Sequence, residues 1–160
     1  VVAEPDVESP TEEAPALEPA SADWKTFRFT DVRTGDTFSV ADFSGQKVLL
    51  ESFAVWCPTC TRQQKVFAEM EGDIVHISLD TDPNEDREAI VEHLDRHGFD
   101  WLYAIAPASV SKSLIDEFGI TIVNAPSAPV VLVCEDGGSR MLPSGLKKID
   151  EINDEVALGC

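Results

Sequence analysis

Cys57 and Cys60 stand three apart in the run Trp56-Cys57-Pro58-Thr59-Cys60, while the other two cysteines, Cys134 and Cys160, are far from them and from each other. Residues at i and i+3 share a helix face, so two sulfurs at that spacing can bond with little backbone movement. The apolar run from Lys47 to Val55 reads as a strand buried on both faces. Pro58 suits a first helical turn, because it lacks an N–H that would have no partner there. The pair therefore falls where a strand ends and a helix begins. Backbone N–H groups and the helix dipole stabilise an anion at such a point, which suits Cys57 to react as a thiolate. Cys60, one turn further in, is the expected resolving thiol. The chemistry implied is thiol–disulfide exchange, which needs no cofactor. The same spacing could also supply two zinc ligands, but four are needed. Cys134 and Cys160 form no second close pair, and His76, His93 and His97 lack zinc-finger spacing, so no metal is expected.

Glu51 lies six residues before Cys57 inside the apolar run and should be at least partly buried. A buried carboxyl has a raised pKa and suits acid–base work, here on Cys60. Cys134 ends a predicted core strand and is expected to be a buried, inert thiol. Cys160, the last residue given, is read as a free thiol that could link two chains. The histidines read as solvated or helix-terminal and receive no catalytic role.

These residues need a scaffold, and the pattern supplies one. Lys25–Thr30 and Thr37–Val40 flank the turn Arg33-Thr34-Gly35-Asp36 as a hairpin. A single turn follows at 41–45, then the Lys47–Val55 strand and a helix from Pro58 to about Met70 with Val66, Phe67 and Met70 inward. Asp73–Leu79 is the next strand. A helix opened by Asp82-Pro83-Asn84-Glu85-Asp86 carries Ile90, Val91 and Leu94 on one face and stops at Gly98. Trp101–Ile105 is a strand, Ser109–Phe118 a helix and Pro129–Cys134 a strand. Asp136-Gly137-Gly138 turns the chain into Ser139–Leu142, and Lys147 to about Leu158 is the final helix. Alternating strands and helices imply parallel strands with crossovers, and the closing hairpin adds antiparallel ones. The expected fold is α/β, a mixed central sheet flanked by helices with an N-terminal hairpin.

Composition narrows the partners. The chain carries 30 acidic and 12 basic residues, a net charge of −18. Such a surface argues against nucleic acid and anionic lipid. Residues 1–23 hold Pro5, Pro10, Pro15 and Pro19, seven carboxylates and no Lys or Arg. That stretch is read as a disordered acidic linker, with the folded domain spanning 24–160. No leader is visible in Val1-Val2-Ala3-Glu4, and no run approaches the ~18 apolar residues of a membrane span.

The run Val48-Leu49-Leu50-Glu51-Ser52-Phe53-Ala54-Val55-Trp56-Cys57-Pro58-Thr59-Cys60 resembles the active-site strand and helix of the thioredoxin superfamily. It is most similar to the TlpA/ResA-like branch. Phe27–Asp31, the entry Phe38–Lys47 and an insertion-like helix after Leu79-Asp80-Thr81-Asp82-Pro83 extend the likeness over roughly residues 27–157. The resemblance implies a thioredoxin fold and a protein disulfide oxidoreductase working as a reductase. It implies that Trp56, Pro58 and Thr59 flank the substrate. It also implies a cis-proline, at Pro129 rather than the rival Pro126, with the Ala128 backbone pairing to an extended substrate. Glu51 takes the place of the buried Asp of thioredoxins, a departure from the Asn or other residue frequent in TlpA/ResA-like proteins. Expected partners are protein disulfides and an upstream electron donor, either thioredoxin reductase or a membrane thiol carrier, with the chain a monomer. The expected location is extracytoplasmic, tethered to a membrane through the linker, with a cytoplasmic thioredoxin as the alternative. The competing readings are a peroxiredoxin-like peroxidase, a metal-binding module and an adaptor with a vestigial pair. Ala54 stands where a peroxiredoxin has a Thr three residues before its reactive Cys.

Overall fold

The computed structural model describes residues 22–160 of the chain, so the expected linker at 1–23 lies almost wholly outside the described residues. The first described element is a short antiparallel hairpin, β1 (Phe29–Thr30) with β2 (Thr37–Phe38), in which Phe29 pairs with Phe38. Ser39 then caps a 3-10 turn at Val40–Phe43. Strand β3 (Val48–Phe53) leads into helix α1 (Pro58–Glu69), followed by β4 (Val75–Asp80), α2 (Arg87–His97), β5 (Leu102–Ile105) and α3 (Ala108–Phe118). Two 3-10 turns, Ile120–Val123 and Ala125–Ser127, carry the chain to β6 (Val130–Val133), and β7 (Ser139–Met141) and α4 (Ile149–Leu158) complete it.

The five-stranded sheet has the order β5-β4-β3-β6-β7. β3, β4 and β5 run parallel, and β6 and β7 are antiparallel to their neighbours. This is the mixed sheet anticipated from the alternation of elements. Central β3 is buried at all six positions, as a strand covered on both faces must be. Its side chains alternate. Val48 and Leu50 pack with Trp24, Ile77, Leu79, Val110 and Leu114. On the opposite face Leu49 packs with Phe67, Leu132 and Ile152. Phe53 joins Cys57, Cys60, Ile90, Leu94 and Tyr103 in a third cluster at the strand's end.

Local signals explain the helix ends. Asp86 caps α2 by accepting the Ala89 N–H, and Gly98 stops it in the left-handed conformation at φ 73°. The buried stripe of α1 is Cys60, Gln63, Gln64 and Phe67. Val66 and Met70, expected inward, pack only partly buried against the core, because the helix turns its two glutamines to the sheet.

The far cysteines depart from expectation. Cys134 and Cys160 form a disulfide, with Cα atoms 6.1 Å apart. Neither is the free thiol expected, because α4 runs back along the sheet and brings the chain end to the end of β6. Arg140 secures the same approach, donating from Nε to Gly159 O (2.6 Å) and pairing with the Glu155 carboxylate (2.7 Å).

Candidate active site

Cys57 is the N-cap residue of α1. Its Sγ accepts the Cys60 N–H at 3.1 Å, so the sulfur sits against the unpaired amides of the first turn. Both cysteines are free thiols and both are buried. The Cys60 thiol points inward and donates to Ala125 O at 3.3 Å. Burial, followed by the Cys57 sulfur beside it, pushes the Cys60 thiol far above the ordinary range. Cys60 therefore keeps its proton until something takes it.

Glu51, only 2% exposed, faces the same end of the sheet. Its neighbours across the sheet are Ser78 on β4 and Val130 on β6. Oε2 accepts from Gln64 Nε2 (2.6 Å) and from Ser78 Oγ (2.5 Å). Burial raises the carboxyl to about 8, while these two donors and the Lys147 charge pull it down. Trp101 Nε1 donates to Ser78 Oγ at 2.9 Å. On the other side Gln64 Oε1 meets His93 Nε2 at 2.7 Å. A carboxamide oxygen only accepts, so His93 carries its proton on Nε2 in this arrangement. His93 is buried, which pushes its pKa down to about 4 and keeps the ring neutral. The expectation of a solvated His93 was therefore wrong, because α2 packs that face onto Phe53 and Phe99. No hydrogen bond among the described residues joins Glu51 directly to Cys60.

Lys147 closes the site from the other side and is 4% exposed. Its Nζ donates to Ala128 O (2.8 Å), Gly145 O (2.6 Å) and Pro143 O (3.1 Å), which uses all three ammonium protons. Its backbone N–H donates to Gln63 Oε1 (2.9 Å), and its carbonyl accepts from Gln63 Nε2 (3.1 Å). One side chain and one backbone unit thus tie the 125–129 and 143–147 loops to α1. Burial lowers Lys147 to about 8, opposed by the Glu51 charge.

The expected cis-proline is not found. No peptide bond among the described residues is cis, so Pro129 and Pro126 both follow trans bonds. The turn is made instead by Ala128, the one non-glycine among them at positive φ (50°). Its N–H donates to Ala125 O (2.8 Å) while its carbonyl faces Lys147. Pro129 is buried behind it.

Trp56 stands on the opposite flank, 58% exposed. Its indole Nε1 donates to Asp82 Oδ2 at 2.6 Å. Glu85 accepts the Val55 N–H (2.8 Å) and, more weakly, the Trp56 N–H (3.4 Å). Asp80 lies beneath, 1% exposed, and burial together with Glu85 pushes it up to about 9. Pro58 is exposed and Thr59 half-buried at the start of α1.

The structure thus brings Cys57, Cys60, Glu51, Trp56, Pro58, Thr59, Ala128 and Pro129 to one end of the sheet. It adds Gln63, Gln64, Ser78, Glu85, His93 and Lys147, to none of which the sequence assigned a role in the site. The glutamines had a signal: two polar residues in register with Phe67 on the inward stripe of α1. Among the described residues no group of three or more His, Cys, Asp or Glu is placed to hold a metal ion.

Comparison with known proteins decides the family. The Redoxin family model matches residues 12–138. The chain belongs to the Redoxin family. No curated protein matches the sequence. Among solved structures, a secreted Mycobacterium tuberculosis disulfide oxidoreductase homologous to E. coli DsbE aligns with TM-score 0.62 at 19% identity, covering 82% of this chain and 95% of that one. The dsbF protein of the same organism gives 0.63 at 18%, over 86% and 98% of the two chains. A thiol:disulfide interchange protein from Chlorobium tepidum gives 0.59 at 19%, over 89% and 98%. This Redoxin-family chain has the thioredoxin fold that such oxidoreductases carry, with its own CxxC pair at Cys57 and Cys60.

Proposed function

We propose that this Redoxin-family protein reduces disulfides in client proteins through Cys57 and Cys60. The observation that carries the reading is the Cys57 sulfur, which caps α1 and accepts the Cys60 amide at 3.1 Å while both thiols are free. As a thiolate, Cys57 attacks one sulfur of a client disulfide. That S–S bond breaks, a Cys57–client bond forms, and the second client sulfur leaves as a thiolate. Cys60 then gives up its proton, with the ionised Glu51 as its eventual acceptor, and attacks Cys57 Sγ. The Cys57–Cys60 disulfide forms, and the remaining client sulfur leaves. The client gains two electrons and the pair loses two. One leaving thiolate takes the proton passed through Glu51, and the other takes one from solvent. A carboxyl near 8 is poised for this transfer at neutral pH, since both of its forms are populated there. A thiol donor upstream restores the pair by the same steps reversed.

Trp56, Pro58 and Thr59 supply the surface that a client meets. Pairing with the Ala128 backbone, as the family resemblance implies, requires a client to replace the bonds that Ala125 and Lys147 now make to it. The Cys134–Cys160 disulfide supports an oxidising, extracytoplasmic setting, since such bonds rarely persist in reducing cytosol. The secreted M. tuberculosis neighbour points the same way. Among the described residues no helix is long and apolar enough to cross a membrane.

Trapping tests the reading. A Cys60→Ser chain incubated with insulin should accumulate a covalent adduct through Cys57 that dithiothreitol dissolves. An adduct absent at every ratio of insulin to protein would overturn it.

A further inference from the structure

Beside the active site a groove of about 520 Å³ opens between the 81–85 loop, the end of β5 and the start of α3. Its floor is apolar, with Ile105, Pro107, Ile115 and Val123, and Ile105 is 39% exposed. Its rim carries Asp82 and Glu85, whereas Lys112, the cation at its far end, is already paired with Asp116 at 3.0 Å.

The acidic wall is bonded to the segment that leads into the reactive pair. Asp82 holds the Trp56 indole at 2.6 Å, and Glu85 holds the Val55 amide at 2.8 Å, at the two residues that precede Cys57. Val123 lies two residues before Ala125, whose carbonyl accepts a hydrogen bond from the Cys60 thiol at 3.3 Å. On the opposite flank both Ala128 backbone groups are engaged within the protein, so no free strand edge is offered there. Recognition by side chains is left to the Trp56 flank.

We propose that this groove is the client-specificity subsite, seating an apolar side chain of the client polypeptide near its target cysteine while a neighbouring basic residue faces Asp82 and Glu85. An apolar pocket with an acidic rim selects that pairing by burial and charge, and the exposed Trp56 face connects it to the attacked disulfide. The proposal deepens the oxidoreductase reading and rests on it for the chemistry, though the docking can be read separately.

The test uses two synthetic peptides, each with one cysteine blocked as a thionitrobenzoate disulfide. One carries Leu-Lys on both sides of the cysteine, the other Gly-Ser. The full chain, with dithiothreitol as donor, should favour the Leu-Lys peptide by about 10-fold or more in kcat/KM. Ser111→Trp, which fills the groove from α3, should bring that ratio to about one, and Ile105→Lys should lower it by opposing the basic residue. The ratio is taken within each variant, so a general loss of folded protein does not move it. Calorimetry with the Leu-Lys peptide bearing Ser for Cys reads docking alone: binding lost in Ser111→Trp supports the groove even if no disulfide is reduced, in which case only the oxidoreductase reading falls. A wild-type ratio near one, or a preference and binding that survive both substitutions, overturns the proposal. So does a concentration-dependent dimer that Ser111→Trp dissolves, since the groove would then belong to a second copy.

Discussion

The four cysteines lie at two ends of one sheet, and the two ends are built for opposite purposes. β6 runs antiparallel to β3, so Val133, beside Cys134, pairs with Val48 at the start of β3, while Glu51 and then Cys57 lie toward its far end. At the Cys134 end the sulfurs are bonded, and Arg140 grips the Gly159 and Glu155 carbonyls of the chain's last turn. These are contacts that hold backbone in place. At the Cys57 end the sulfurs are free and face a helix start and a buried carboxyl whose hydrogen-bond partners come from two elements, α1 and β4. Two cysteines become reactive when a group that can move a proton is buried beside them. They become a staple when everything around them fixes the chain.

Removing a sulfur from each end separates the two roles. Cys57→Ser should cut client disulfide reduction by more than about 1000-fold, measured by insulin turbidity, because the nucleophile is gone. The double change Cys134→Ser/Cys160→Ser should leave the exchange rate within about 2-fold. It should cost about 3 kcal/mol in urea unfolding, the loop-closure contribution expected for a sequence separation of 26 residues. A large loss of exchange in that double variant would erase the contrast.

Glu51 sharpens the comparison, because its proton is what the staple end lacks a use for. Its folded pKa of about 8 lies above the unfolded value of about 4.5, so the native state holds an extra proton between them. The Glu51 contribution to folding stability should therefore fall as pH rises from about 4.5 to about 8 and then level off, read as the difference between wild type and Glu51→Gln. The resolving step should quicken as pH passes through about 8, because the ionised form is the base. Glu51→Gln should slow resolution by roughly 100-fold, flatten that pH profile and raise stability at pH 8 by on the order of 3 kcal/mol. Stopped-flow release of the second client thiol reads the first two effects, and urea titration reads the third.

The smallest effect is expected from His93→Phe, which keeps the aromatic packing on Phe53 but frees Gln64 Oε1. With the amide less firmly held, the Glu51 midpoint should move upward by a few tenths of a pH unit, roughly 0.5 kcal/mol. Wild-type exchange should show no inflection near 6.5, since His93 stays neutral down to about 4.

Much of this was legible beforehand, for a reason that differs by element. β3 announced itself because a strand buried on both faces must be continuously apolar, and Glu51 stood out as the one charge inside it. α1 and α2 were marked by their caps, Cys57-Pro58 and Asp86, which act locally and so leave a local signature. The Cys134–Cys160 bond left none, because it depends on where α4 returns against the sheet. Lys147 was hidden likewise: near the start of a predicted amphipathic helix, a lysine reads as solvated until three carbonyls from folded loops converge on it. The turn before β6 misled in a third way. The family resemblance implied a cis bond at Pro129, yet the chain reverses one residue earlier through the left-handed Ala128.

The most direct test is the redox state of all four cysteines, read by mass-resolved alkylation across a series of defined thiol–disulfide buffers. Cys57–Cys60 should open and close reversibly at a poise between roughly −270 and −120 mV, while Cys134–Cys160 should stay oxidised throughout that window. A Cys57–Cys60 bond that forms at no poise, or a Cys134–Cys160 bond that opens before it, would contradict the assignment of chemistry to one end of the sheet and stapling to the other.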